Sequence, residues 1–514
     1  MKKKDAPRPA HAPKPAHRPA AGPGAGEPWS RALADPRAPY LVPLLVALAS
    51  RLWQASMIPF AAEDAYITFR FAENWGHGLG PVYNAGERVM GFSSPLWTGW
   101  LALGSAVFGS AFAFARASGI AFDLGALALG TRVLDREHGR FTAWIFAIFF
   151  AIHPIFAANS VLGMETSLFL FLLMASPWAL QARHRAAGVV IGLLALVRPE
   201  GIVAAAIAAL GAPARPRLVA LGVAALGYGA LAAYFGSPIP QSVLAKAATY
   251  GIVGPLGGLQ WIEGILPWFV SGTWPMTPEG TNLLPISLVG TPAAIVGAAL
   301  LWRNRARHGV AWIVGAAGMT ILAFYFALGV PYFFWYGVVP IASWAWLASI
   351  GMPMISRNRL LYASLALYLV SNTILLRNLY VGRVKQETLS FWQAGNALAQ
   401  ASGGRGTVFL EPIGHIGYLS RLRVIDEVGL VSPRVAKRRV QGAGWYADVV
   451  QAEHPDYLVV RQDFFQKNES FAGLSAPFRN DGERDAVLAE YEKLDLGERE
   501  ASMQMSIYHR RPPG

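Results

Sequence analysis

Long apolar stretches separated by short polar turns occupy most of the chain, from about residue 40 to residue 376. Helices are the only open segments that can cross hydrocarbon, because each one satisfies its own backbone hydrogen bonds. The pattern therefore predicts a polytopic α-helical membrane protein. The stretches are Tyr40 to Pro59, Pro95 to Phe112, Ser118 to Thr131, Phe141 to Ala157, Met164 to Leu180, Ala186 to Val197, Gly201 to Ala212, Leu218 to Phe235, Ser287 to Trp302, Val310 to Val330, Tyr336 to Ile355 and Leu360 to Leu376.

The arginine content of the turns predicts how the chain is threaded. Five turns are rich in arginine, and they begin at Arg132, Arg183, Arg215, Arg303 and Arg357. Basic loops stay on the cytoplasmic side, so these five turns are expected inside. This threading holds if the stretch from residue 95 to 112 lies along the outer interface without crossing. About 11 transmembrane helices then place the C-terminus outside.

The two ends of the chain differ from this middle part. Residues 1–37 are basic and rich in Pro and Ala, which predicts a disordered cytoplasmic tail. Residues 38–383 form the predicted membrane domain, and residues 384–514 form a predicted soluble α+β domain outside the membrane. Its expected elements are strands at Thr407 to Leu410, Asp456 to Val460 and Met503 to Tyr508, and a helix around Glu483 to Leu494.

Composition supports the membrane assignment and excludes several functions. Hydrophobic residues make up 54% of the chain and charged residues only 15%, more apolar surface than a soluble core absorbs. The net charge of +13 is spread over short loops, so we expect no nucleic-acid partner. The chain has no Cys, which excludes disulfides, thiol catalysis and thiolate metal sites.

The acidic pair Glu63 and Asp64 follows the first apolar stretch, at the outer membrane surface. A carboxylate placed where a span meets water can stay ionised and act as a base on a lipid-borne substrate. The alternative is a solvated pair that opens a helix and favours its N-terminal dipole.

Other charged residues fall in turns on the same side of the membrane. They are Glu165 in GMET, Arg198 and Glu200 in VRPEG, and Lys246 in PIPQSVLAK. The stretches on either side of the Arg-Pro-Glu turn have about twelve residues each, roughly 18 Å of helix against about 30 Å of hydrocarbon. This predicts a polar cavity open to the outside. The alternative is an Arg198–Glu200 ion pair that only packs two helices.

Three further residues are candidate substrate ligands. Arg70 lies seven residues after Glu63 on one helix face, where it would contact a phosphate or neutralise Glu63. Arg88 is either a solvent-exposed residue of the loop or a contact to the substrate. Tyr336 ends the aromatic run PYFFWY and would stack on a sugar or serve as an interfacial anchor.

The long loop from Gly236 to Pro285 carries Trp261, Trp268 and Trp274, which would otherwise serve only as interfacial anchors. Tryptophan favours the membrane interface. We expect interfacial helices here that form a lid over the cavity.

The run EDAYITFRFAENWGHGLGPVYNAGERVMGFSSPLW, followed by GMET, VRPEG and PIPQSVLAK, resembles polytopic glycosyltransferases of the GT-C class. Among them the motifs are most similar to membrane arabinofuranosyltransferases that add terminal sugars to cell-wall arabinan. The resemblance covers about residues 40–430. It departs from the usual pattern after GER, where this chain has Val89, Met90, Gly91 and Phe92.

The resemblance implies an enzyme of the bacterial inner membrane that takes a hexose or pentose from a polyprenyl phosphate on the outer face. It implies an acidic base in the first outer loop, best matched by Asp64 and next by Glu63, and an envelope glycan, lipid or protein acceptor. Arg198 and Lys246 are then cationic candidates for the leaving phosphate. Some relatives use a divalent metal, for which Asp64 and Glu165 would be oxygen ligands. We expect no obligatory metal.

Two other classes of function fit part of the pattern. A transporter or flippase of lipid-linked glycans would also have a charged cavity among broken helices. Transporters are often built from two related halves, however, and the pair of short helices is not repeated in the C-terminal half of this sequence. A scaffold of envelope assembly would make the carboxylates dispensable. The large external domain and the acidic first loop favour an enzyme.

Overall fold

The structure is a computed structural model that describes residues 38–250, 284–303, 309–330, 333–356, 358–466, 476–496 and 503–512. The predicted tail at 1–37 and the three tryptophans of the expected lid lie outside these ranges. The helices are α1 (Ala38–Met57), α2 (Glu63–Gly76), α3 (Pro95–Phe108), α4 (Ala111–His138), α5 (Arg140–Ile152), α6 (Pro154–Val161), α7 (Thr166–Gln181), α8 (Ala187–Leu194), α9 (Gly201–Leu210), α10 (Ala214–Phe235), α11 (Gln241–Tyr250), α12 (Leu284–Arg303), α13 (Trp312–Leu328), a 3₁₀ turn (Phe334–Gly337), α14 (Val338–Ile355), α15 (Arg359–Ser402), α16 (His415–Ser420), α17 (Pro433–Arg439), α18 (Trp445–Glu453) and α19 (Asp481–Glu490).

The apolar stretches form helices, as the pattern predicts, and the described part of the chain has three that are long and apolar enough to span a bilayer: Ala111–His138, Ala214–Phe235 and Trp335–Ile355. The pair α5 and α6, bent by 55°, adds a fourth candidate, and four apolar helices are shorter. The expected count of 11 crossings stays a prediction. The predicted stretch at 95–112 divides at Gly109, because α3 ends there and Phe112 already belongs to α4.

A proline and a buried arginine explain the bend between α5 and α6. Pro154 has no N–H, so the carbonyl of Phe150, four residues earlier, loses its helical partner. Arg51 on α1 replaces that partner, since Nη2 donates to Phe150 O at 3.0 Å and Nη1 donates to Ala151 O. Its Nε lies 2.8 Å from Asp123 Oδ2 on α4. This buried pair joins three helices at the break.

The two short helices around the Arg-Pro-Glu turn are present as the sequence predicts. Helix α8 has 8 residues and α9 has 10. The start of α9 lies against the end of α8, because a Cβ on Gly201 would stand 2.2 Å from the carbonyl oxygen of Leu194. Only glycine allows this approach, which closes the turn that carries Arg198 and Glu200.

The C-terminal part folds as the expected α+β unit, here named the sheet domain. Its strands are β1 (Thr407–Leu410), β2 (Arg423–Asp426), β3 (Tyr457–Arg461), β4 (Tyr491–Lys493) and β5 (Met505–Arg510). They form one sheet in the order β2-β1-β3-β5-β4. Strand β1 pairs in parallel with β2 and β3, whereas β5 is antiparallel to β3 and β4.

Two details of this domain differ from the sequence prediction. Strand β2 is short and buried and was not predicted. The predicted helix at 483–494 is wrong at its end, because α19 stops at Glu490 and the following three residues pair with β5. Tyr491 explains the change, since its ring is buried and its hydroxyl donates to Pro455 O at 2.7 Å.

The sheet domain packs on α2 and on the loop after α2. Asn84 both accepts from and donates to the backbone of Val424, at 3.0 and 2.9 Å. The Tyr83 hydroxyl donates to Ile413 O at 2.6 Å, and the carboxylate of Glu73 accepts from Tyr418 at 2.6 Å. The sheet domain therefore forms part of the surroundings of α2 and of the loop that follows it.

Candidate active site

Asp64 lies in the first turn of α2, and its carboxylate faces α11. Lys246 Nζ is 3.2 Å from Asp64 Oδ2, and about a quarter of each side chain is exposed. Two hydrogen bonds to backbone carbonyls fix α11: Gln241 N donates to Met90 O at 2.9 Å, and the Thr249 hydroxyl donates to Val428 O at 3.3 Å. The structure thus brings together two predicted site residues from distant motifs.

Arg198 is buried between two acids, as an ion pair and not as a free cation. Its Nε lies 2.5 Å from Glu200 Oε1 and 3.6 Å from Glu165 Oε1. Its guanidinium also lies over the ring of Tyr336, 4.6 Å from the centroid. Two carboxylates and a ring face therefore surround this positive charge.

An aromatic bridge connects the two ion pairs. Lys246 Nζ lies 4.9 Å from the ring centroid of Phe333, and that ring meets Tyr336 edge to face at 5.7 Å. Asp64 is also close enough to Glu165 to interact with it electrostatically. We name these seven residues the charged cluster: Asp64, Glu165, Arg198, Glu200, Lys246, Phe333 and Tyr336. With every acid ionised, it holds three negative and two positive charges.

Glu63 faces away from the charged cluster, although it is the neighbour of Asp64. Its Oε1 accepts a hydrogen bond from the backbone N–H of Gly414 in the sheet domain. Burial, and then the nearby charges of Asp64 and Glu411, raise the pKa of the Glu63 carboxyl well above its usual value, against the opposing effect of the Gly414 and His415 N–H groups. The two adjacent acids therefore have different surroundings, which suit different roles.

The turn before α7 is held close to the start of α2. Ala62 N donates to Leu162 O at 2.9 Å, and Trp97 Nε1 donates to Gly163 O at 3.1 Å. Gly163 has φ of +81°, and a Cβ there would stand 2.7 Å from the ring of Phe69. Glycine is needed at this position, which places Glu165 near Asp64.

Arg70 is not near the charged cluster. This buried guanidinium donates to the carbonyl oxygens of Tyr83 at 2.9 Å, Gly417 at 2.6 Å and Leu422 at 2.6 Å. Its donors fasten α2 to the sheet domain, so neither a phosphate nor Glu63 is its partner. We therefore do not retain Arg70 as a substrate ligand.

Arg88 also lies apart from the charged cluster. Its exposed guanidinium lies over the ring of Tyr234, 5.0 Å from the centroid. The neighbouring Glu87 pairs with Arg423 of the sheet domain at 2.6 Å. Both residues of the GER motif thus contact neighbouring elements, and we do not retain Arg88 as a substrate ligand.

The acidic residues of the site do not form a metal-binding set. Within the described ranges, no group of three or more His, Asp or Glu residues is arranged to hold a metal ion. The oxygens of Asp64 and Glu165 face Lys246 and Arg198, whereas a divalent ion needs several oxygen ligands free to converge on it. These residues do not fit a resident metal, and we derive no step through one.

Two members of the site were not singled out from the sequence. Phe333 belongs to the aromatic run that drew attention to Tyr336, so the signal was present but could not show which ring meets Lys246. Gly414 carried no signal, because its contribution is a backbone N–H brought from 351 residues away.

Known proteins resemble the chain in fold more than in sequence. A family model described as Domain of unknown function (DUF8728) matches residues 377–508. No curated protein matches the chain in sequence.

Solved structures match nearly the whole chain. ArnT from Cupriavidus metallidurans in the apo state is 12% identical, with a TM-score of 0.60 over 91% of this chain and 97% of that chain. The same protein bound to undecaprenyl phosphate is 12% identical, with a TM-score of 0.57 over 92% of this chain and 98% of that chain. The Archaeoglobus fulgidus oligosaccharyltransferase tethered with an acceptor peptide is 13% identical, with a TM-score of 0.53 over 84% of this chain and 70% of that chain. The chain therefore has the fold of GT-C membrane enzymes, with a small C-terminal sheet domain.

Proposed function

We propose that the protein is a membrane glycosyltransferase that moves a sugar from a polyprenyl-phosphate donor to an acceptor hydroxyl on the outer face of the bacterial inner membrane. The pairing of Asp64 with Lys246 carries this proposal, because it sets a carboxylate beside an ammonium at the start of the first outer helix. Likeness to structures of ArnT bound to undecaprenyl phosphate and of an oligosaccharyltransferase with an acceptor peptide supports a lipid-linked donor and a separate acceptor.

Asp64 acts as the general base in the proposed reaction. It takes the proton of the acceptor hydroxyl as that oxygen forms its bond to the anomeric carbon. The bond from the anomeric carbon to the phosphate oxygen breaks, and its electron pair stays on the polyprenyl phosphate. Attack from the opposite face inverts the anomeric centre.

Lys246 stabilises the phosphate that leaves. About a quarter of the Lys246 side chain is exposed, whereas Arg198 is buried between Glu165 and Glu200. A charge-assisted contact from Lys246 strengthens as negative charge builds up on the phosphate. Arg198 then has a packing role, in which it holds Glu165, Glu200 and Tyr336 together.

The donor sugar is proposed from the motifs of the first outer loop. Their resemblance to arabinofuranosyltransferases favours a pentofuranose such as arabinofuranose, transferred to an envelope glycan. The competing donors are polyprenyl-phosphate hexoses, and both can be supplied as radiolabelled compounds.

The test compares Asp64→Asn with the wild-type protein in lipid nanodiscs, using both donors and an envelope glycan fraction as acceptor. We expect wild-type transfer from the pentofuranose and a loss of at least about a hundredfold in the variant, the usual scale for a general base. Glu87→Gln is the matched control, because Glu87 lies in the same loop but pairs with the sheet domain. Full transfer by Asp64→Asn would exclude Asp64 as the general base. Transfer only from a hexose donor would exclude a pentofuranose as the transferred sugar.

A further inference from the structure

Arg116, near the outer end of α4, donates to four backbone carbonyls. Nη2 donates to Ile58 O at 2.5 Å and to Phe60 O at 3.0 Å, Nη1 donates to Ala55 O at 3.3 Å, and Nε donates to Val161 O at 3.3 Å. Arginine offers five N–H donors in a planar fork, so one side chain can serve several carbonyls at once. Its guanidinium also lies 4.7 Å from the ring centroid of Phe112.

The four carbonyls belong to two segments that lead to the charged cluster. Three come from the end of α1 and from the non-helical residues 58–62, which run directly into Glu63 and Asp64. The fourth comes from the last residue of α6, four positions before Glu165. One further hydrogen bond joins the same two segments, because Ala62 N donates to Leu162 O at 2.9 Å.

Residues 58–62 have little regular structure of their own to fix them. Pro59 has no N–H to donate, and no regular element covers the stretch between α1 and α2. Ile58 and Phe60 are buried, so their carbonyls need hydrogen-bond partners from elsewhere in the protein. Arg116 is that partner for these two of the five residues.

We infer that Arg116 is a positioning residue that fixes Asp64 relative to Glu165 and to the acceptor hydroxyl. The inference rests on the proposed role of Asp64 as base, and Arg116 acts through the backbone without touching substrate. Displacement of a reacting group by about 1 Å can cost about a hundredfold in rate. Lysine cannot replace the fork, because one ammonium does not span carbonyls from two segments.

The test uses Arg116→Lys and Arg116→Gln in nanodiscs, with radiolabelled polyprenyl-phosphate pentofuranose and hexose as donors and an envelope glycan fraction as acceptor. We expect kcat to fall by about 10- to 100-fold while KM for donor changes by less than about threefold. Hydrogen exchange should speed up in peptides covering residues 55–66 and 158–166. Arg217→Gln is the matched control, since its guanidinium also donates to two carbonyls, Ala209 O at 3.0 Å and Ala212 O at 2.9 Å, in a distant turn.

The outcomes separate this inference from the proposed function. Unchanged kcat in both Arg116 variants, or a wild-type rate in Arg116→Lys, overturns the positioning role. A rise in KM with unchanged kcat also overturns it. Full transfer by Asp64→Asn would instead reject the base, whatever the Arg116 variants do. Slower transfer with faster exchange in both segments, and neither change in Arg217→Gln, supports Arg116.

Discussion

Lys246 Nζ lies 3.2 Å from Asp64 Oδ2, and 182 residues separate the two in sequence. The contact joins the first turn of α2 to α11 and sets one positive charge beside the carboxylate that we propose as base. The ammonium also lies over the ring of Phe333, 4.9 Å from its centroid. A cation held in this way can meet an anionic donor without a large movement of the backbone.

Lys246→Gln should weaken the binding of undecaprenyl phosphate by about 10- to 100-fold, because a charge-assisted hydrogen bond contributes about 1.5–3 kcal/mol. Lys246→Arg keeps the charge and should retain most of the affinity. Binding of the radiolabelled lipid to protein in nanodiscs measures this. Arg88→Gln is the control, and equal affinity in Lys246→Gln and the wild-type protein would contradict the phosphate role.

Arg198→Leu should destabilise the protein by about 3–5 kcal/mol, because it leaves Glu165 and Glu200 buried without their cation. The double variant Arg198→Leu/Glu200→Leu should recover the part of that loss that comes from Glu200, the nearer acid, in thermal unfolding. Lys246, to which we assign the phosphate contact, pairs with Asp64 and not with Arg198 or Glu200. We therefore expect the double variant to bind undecaprenyl phosphate nearly as the wild-type protein does. A stable double variant that no longer binds the lipid would show that Arg198 itself contacts the phosphate.

Glu63→Gln should make the protein more stable at neutral and alkaline pH. The raised pKa of Glu63 means that the folded state holds its proton more tightly than the unfolded chain, so stability falls as pH rises above about 4.5. Glutamine removes that dependence and can still accept from Gly414 N. Thermal unfolding of both proteins from pH 5 to pH 9 measures this pH dependence. If stability changes with pH in the same way in both proteins, the raised pKa of Glu63 is contradicted.

The threading can be tested with single cysteines, because the chain has none of its own. Ala85 and Ala182 are both exposed, in the loop after α2 and in the turn after α7. Ala85→Cys should react with an impermeant thiol reagent in intact cells, whereas Ala182→Cys should react only after permeabilisation. Labelling of Ala182→Cys in intact cells would reverse the predicted orientation.

Much of the fold could be predicted because apolar runs and short-range signals determine it. The short helices on either side of Arg198 and the strand at 407–410 lie where the pattern predicts them. Strand β2 was missed because charged residues stand at both of its ends, Arg423 and Asp426, whereas the equally short β1 (TVFL) has no charged residue. Pairing across the sheet, not local preference, makes a strand of residues 491–493.

The candidate site could be predicted only in part. Motifs identified Asp64, Glu165, Arg198, Glu200, Lys246 and Tyr336, and the structure brings these six together. Helical spacing placed Arg70 on the face of Glu63, and both do contact the sheet domain, but the sequence could not show that this face turns away from the charged cluster. Arg116 was missed because its partners are backbone atoms that any sequence provides.

Helix α15 runs for 44 residues, from Arg359 to Ser402, and ends directly before the sheet domain. Each residue added to a helix rotates the rest of the chain by about 100° and advances it by about 1.5 Å. A single insertion in α15 would therefore rotate Gly414 away from Glu63. Only an insertion or deletion close to a whole number of helical turns would keep the sheet domain in the same rotational orientation, here called its phase. The family match at residue 377 begins inside this helix. A chimera that exchanged the sheet domain alone would have to keep that phase, so the natural unit of exchange includes the second half of the helix.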